Sequence, residues 1–123
     1  MRKNSPLLFK LFLILCSLSA HVLTHAQNIP KVGQTYTLEI ANWNLEWFGK
    51  TTPGFGPSDD VKQQALVLKT IQSADIDIWA LCEVSEKKAF DSMMLKLPNY
   101  QSVLANYLPE QKTALLFNKN LYT

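Results

Sequence analysis

Histidine is confined to positions 21 and 25 of this 123-residue chain, and both lie in a stretch that reads as a removable leader. Arg2, Lys3 and Lys10 make its start basic, and Leu11-Phe12-Leu13-Ile14-Leu15 form an apolar core. Thr24 and Ala26 then stand three before and one before a cut ahead of Gln27. That is the layout of a secretory signal peptide. Its apolar run falls short of the roughly 20 residues a bilayer span requires. The expectation is therefore an exported chain, periplasmic or extracellular, with a signal peptide over residues 1–26 and no stable membrane anchor. With the leader gone no imidazole remains. Ser-His-Asp catalysis, Cys-His catalysis and zinc sites built on histidine are thereby excluded from residues 27–123.

Cysteine is nearly as scarce. Cys16 leaves with the leader and Cys82 stands alone, so no internal disulfide is available to the exported chain. Cys82 sits in an apolar run, which predicts a buried small residue rather than a reactive thiol. A basic surplus is missing too. Three of the 12 basic residues and none of the 10 acidic ones lie in the leader, leaving nine against ten and a net charge of −1. Such a balance gives no support for a basic nucleic-acid-binding face. An anionic substrate would need a cation, or residues from elsewhere.

What remains reads as one small α/β unit without repeats. Residues 27–35, with Pro30 and Gly33, form an exposed lead-in. Residues 36–45 alternate as a strand, with Leu38, Ile40, Asn42 and Asn44 on one face and Thr37, Glu39, Ala41, Trp43 and Leu45 on the other. Apolar residues on both faces predict a central strand covered on both sides. Residues 49–57 crowd three Gly and two Pro into a loop. Its Gly49-Lys50-Thr51 lacks the earlier glycine and the following helix of a phosphate-binding loop.

Ser58 is placed to cap a helix running to about Ser73, with Val61, Ala65, Leu68 and Ile71 as its buried stripe. The apolar run at residues 78–84 is a second strand, parallel to the first because a helix intervenes. Ser85 then caps a second helix whose Phe90, Met93, Met94 and Leu97 share a face and which Pro98 ends. Residues 100–107 and 112–118 complete an antiparallel hairpin.

Two polar side chains stand at the carboxyl ends of the successive parallel strands, Asn44 and Glu83. In open α/β sheets ligands bind beyond those ends. A carboxylate there suits a hard cation such as Mg²⁺, which takes oxygen donors and keeps waters for a substrate phosphate. An amide beside it can hold a phosphate oxygen or a metal-bound water without adding charge. Blander roles compete: Glu83 as a helix cap or lysine partner, Asn44 as a turn amide, Glu46 facing solvent, and Trp43, Trp47 and Trp79 as core.

Trp43-Asn44-Leu45-Glu46 after an apolar strand, followed by the run from Ala74 to Val84 ending in Cys82-Glu83-Val84, resembles the endonuclease/exonuclease/phosphatase superfamily. Residues 112–119 are similar to that family's next strand. The resemblance implies the N-terminal part of a DNase I-like four-layer α/β sandwich, with a mixed sheet and flanking helices, over residues 27–123. It further implies Mg²⁺- or Mn²⁺-dependent phosphodiester hydrolysis of a nucleic acid or another phosphodiester, by a nuclease or related phosphoesterase. Glu83 would be the metal ligand, and Asn44 would organise phosphate and metal. Cys82 stands where many members have Gln. The family's later Asp-Asn motif and Asp-His pair have no counterpart here, so an incomplete domain without turnover of its own is expected. The alternative is a secreted non-catalytic binding module, or a truncated pseudoenzyme, with the same sheet.

Overall fold

The computed structural model describes residues 28–107 and 110–122. The expected leader lies outside them, as do Cys16, His21 and His25. In chain order the elements are β1 (Ile40–Phe48), α1 (Asp60–Ala74), β2 (Ile78–Val84), α2 (Lys87–Met94), β3 (Tyr100–Leu104) and β4 (Lys112–Asn118), with a 3₁₀ turn at Lys119–Tyr122. Pairing is parallel between β1 and β2 and antiparallel for β2–β4 and β3–β4, giving a mixed sheet in the order β1-β2-β4-β3. The fold is thus α/β with flanking helices, consistent with part of a DNase I-like sandwich. Among the described residues no helix is long and apolar enough to cross a membrane.

Both helices lie over one face of the sheet. Leu81, Phe48, Val84, Ile71 and Leu116 are fully enclosed there, and Trp43 meets Trp79 at 6.1 Å between ring centres. The pairings Trp43↔Leu81 and Leu81↔Ala114 run this covered row across three strands. Asn42↔Ala80, Ala80↔Leu115 and Val103↔Leu115 run the opposite row. On that side Ile40 is 67 % exposed, Val103 59 % and Leu115 49 %. The expectation of a central first strand covered on both sides is therefore not met: within the described residues β1 is an edge strand, open on one face. Cys82 lies on the open side and is only half-buried, its Sγ 3.8 Å from Asn42 Oδ1, because its partner in register is the exposed Asn44.

The first helix departs from expectation at its cap and its stripe. Asp59, one residue past Ser58, is the N-cap and accepts from the Lys62 N–H at 2.9 Å. A carboxylate makes the stronger, charge-assisted bond to that donor. The buried stripe is Gln63, Val67, Ile71 and Ala74, whereas Val61 is 80 % exposed and Leu68 only partly buried. The helix has rolled so that Gln63 meets the end of β1. Val61, Ala65 and Leu68 instead border a groove facing Met93 of α2.

In α2, Phe90 and Met93 are buried as expected, with Leu97 just beyond. Ser85 does not cap it. The N-cap is Glu86, without a side-chain bond, and Ser85 Oγ is buried without a partner. Phe48 O draws in the N–H groups of both Ser85 and Glu86 at 3.1 Å, so the chain enters the helix one residue later.

Candidate functional site

Strict alternation would separate the two candidate residues. Asn44 pairs with Cys82, so the next residue, Glu83, belongs on the other face of the sheet. The chain avoids this with two irregularities that meet at Glu83. Between Asn44↔Cys82 and Phe48↔Val84, β1 advances four residues and β2 two. Between Leu81↔Ala114 and Val84↔Lys112, β2 advances three and β4 two. Bulges re-aim side chains in this way. Phe48 and Val84 turn into the core, and Glu83 comes round to Asn44.

Backbone conformation carries the change. Glu46, Trp47 and Glu83 have φ of 54°, 56° and 61°, in the left-handed region. For residues with a side chain that region costs about 1–2 kcal/mol each. Among the described residues Asp75 is the one further non-glycine case, and it closes the C-terminus of α1.

The contacts are specific. Asn44 Nδ2 donates to Glu83 Oε1 at 2.8 Å, and the Trp47 N–H donates to Glu83 Oε2 at 3.2 Å. The Glu46 N–H donates to Asn44 Oδ1 at 2.8 Å. The Asn44 amide is thereby oriented at both ends, and both carboxylate oxygens of Glu83 are held. Neither blander role of Glu83 is seen: Glu86 is the cap of α2, and no lysine pairs with Glu83 among the described residues. Glu46 does face solvent and Trp79 is core, as expected, whereas Trp43 is only partly buried against that core and Trp47 is half-buried at its rim.

Two further residues shape this corner. Gln63, 8 % exposed, donates from Nε2 to Leu45 O at 2.6 Å and Glu46 O at 3.0 Å, and its Oε1 accepts the Gly49 N–H at 3.4 Å. One amide thus spans the whole left-handed turn. Gly56, φ 69°, passes so close that a β-carbon there would lie 2.7 Å from Glu46 O. Phe55 meets Trp47 edge to face at 4.8 Å, and Lys50 ties the loop to Glu110 at 2.9 Å. The residue missed from sequence is Gln63. Its spacing to Val67, Ile71 and Ala74 was a usable signal, masked by its polar type.

The donor set fits a hard cation without enclosing one. A carboxylate oxygen has about two acceptor directions, so Glu83 keeps one free on each oxygen after its two hydrogen bonds. Among the described residues no three His, Cys, Asp or Glu side chains gather to hold a metal. A hard cation such as Mg²⁺ can bind through as few as one or two carboxylates, with water and phosphate completing its shell. An open groove between the free edge of β1 and α1 begins beside Asn44 and Glu46 and is walled by Trp43, Leu66 and Val67.

No protein-family model and no curated protein matches the chain. Among solved structures it is similar to TDP2 from C. elegans, with 19% sequence identity and a TM-score of 0.51. The match covers 84% of this chain and 28% of that one, so the chain spans just over a quarter of the protein it resembles. Identity at this level shows a shared fold and no more.

Proposed function

We propose that Asn44 and Glu83 form the metal- and phosphate-organising half of a Mg²⁺- or Mn²⁺-dependent phosphodiester hydrolase, a nuclease or related phosphoesterase. One observation carries the proposal. Three residues in left-handed conformations, together costing about 3–6 kcal/mol, bring this amide and this carboxylate together. That is a large share of the 5–15 kcal/mol that stabilises a domain. Backbone strain of this kind concentrates at functional sites.

Within this reading each group has a task. Glu83, fixed by the Trp47 N–H and Asn44, is the protein ligand of the cation. The cation, when bound, supplies Lewis-acid stabilisation of charge on a phosphoryl oxygen. Asn44, whose Oδ1 is anchored by the Glu46 N–H, directs the remaining Nδ2 hydrogen toward a phosphate oxygen or a water. No histidine occurs in residues 27–123 to serve as general base, so these residues alone should not turn over a phosphodiester. The basic start, apolar run and small residues of the leader further support export, with action outside the cytoplasm after loss of residues 1–26.

Counting bound Mn²⁺ by electron paramagnetic resonance tests the site. The full chain should bind one ion, and Glu83→Ala should bind none. Undiminished binding by Glu83→Ala would refute the assignment. No binding by the wild type would favour a non-catalytic module with the same sheet.

A further inference from the structure

We propose that Gln63 is a positioning residue for the Asn44–Glu83 site, an inference that rests on the function proposed above. Its side chain is a buried amide that belongs to a helix, and its hydrogen bonds go to neither Asn44 nor Glu83. Its partners are backbone groups of Leu45, Glu46 and Gly49, the residues around the left-handed pair Glu46–Trp47. The bonds from the Glu46 N–H to Asn44 and from the Trp47 N–H to Glu83 leave that same turn on its other side.

The logic is one of satisfied backbone. A continuing strand would offer one of the Leu45 and Glu46 carbonyls to β2 and turn the other to the sheet edge. The left-handed turn removes them from any ladder, and buried carbonyls without donors are destabilising. The Gln63 Nε2 supplies both hydrogens, and its Oε1 takes up the Gly49 N–H. An amide is needed, since a carboxylate could not donate and a lysine could not accept. Without Gln63 the turn loses what offsets its strain. The two N–H groups that aim Asn44 and Glu83 then lose their direction.

The test compares full-length Gln63→Met with Ile71→Val. Met matches the length of Gln without its hydrogen bonds, and Ile71 is a fully buried residue two turns along the same helix face. The amide resonances of Glu46 and Trp47, together with the Asn44 side-chain amide, report the turn. Mn²⁺ affinity reports the site. Gln63→Met should move those three resonances and weaken Mn²⁺ binding about 10- to 100-fold, as loss of a residue that orients a ligand does. Ile71→Val should lower the melting temperature but leave resonances and affinity in place. Should Gln63→Met not fold, Gln63→Leu takes its place, since it too removes the hydrogen bonds without burying a charge. Unmoved resonances in a folded Gln63 variant would overturn the positioning role whether or not the metal binds. Moved resonances in the Gln63 variant, together with a wild type that binds no Mn²⁺, would uphold the turn and sink the metal assignment instead.

Discussion

Gly49→Ala should destabilise the fold by about 2–4 kcal/mol, and the reasons can be separated. Gly49 has φ 80°, which for alanine adds about 1–2 kcal/mol. A β-carbon there would lie 2.6 Å from Ala89 Cβ and 2.9 Å from Glu86 Cβ, far inside the 3.5–4.0 Å of a comfortable carbon contact. Relieving such overpacking costs a further 1–3 kcal/mol or so. The lower entropy of the unfolded alanine chain returns only about 0.4–1 kcal/mol. With a urea dependence of about 1–3 kcal/mol per molar, the midpoint should fall by about 1–2 M. Fluorescence of Trp43, Trp47 and Trp79 follows the transition. Ala89→Gly supplies the control. Alone it should cost about 1 kcal/mol as a helix glycine, but beside Gly49→Ala it should restore stability by removing the nearer contact. A Gly49→Ala midpoint equal to the wild type, or strict additivity of the pair, would refute this account of how the end of β1 seats on α2.

Two further outcomes follow from single contacts. Tyr100, almost fully buried, donates from its hydroxyl to Ile76 O at 2.7 Å, and burial together with the Asp75 and Asp77 charges raises its pKa above 10.0. The folded state thus holds the phenol proton more tightly, so this contribution is whole below pH 10 and is lost as pH rises through the raised value. Tyr100→Phe should flatten the alkaline limb of a stability–pH curve, at a cost of about 1 kcal/mol at neutral pH; an unchanged limb would contradict it. Asp59→Ala should cost about 1 kcal/mol through loss of the cap bond to the Lys62 N–H, seen as a lower urea midpoint. No change there would shift the capping role back to Ser58.

The elements were legible because their periods are clean. Alternation from Ile40 to Asn44 and the apolar run at Ile78–Val84 dictate two strands, and the intervening helix dictates that they run parallel. Asn44 and Glu83 stood out as polar groups at apolar strand ends, and the structure brings both to one point. How they meet was not legible. Left-handed Glu46, Trp47 and Glu83 carry no local signal, since glycine is the residue that marks such turns. Gly49 and Gly56 lay nearby and hinted at a sharp bend. The roll of α1 escaped for a related reason: Gln63 reads as solvent-facing until its carbonyl partners, 17 and 18 residues earlier, are known. The openness of one sheet face depends on what packs over it, and strand composition alone does not specify that.

In the proposed function the cation binds the free side of the Glu83 carboxylate, beside Asn44 at the carboxyl ends of β1 and β2. Adding substoichiometric Mn²⁺ to isotope-labelled full-length protein and recording which amide signals broaden locates the ion directly. Broadening should centre on Asn44, Glu46, Trp47 and Glu83 and be lost in Glu83→Ala. Broadening centred on Glu39, Asp75 and Asp77 at the opposite end of the sheet, or spread evenly over the surface acids, would contradict it.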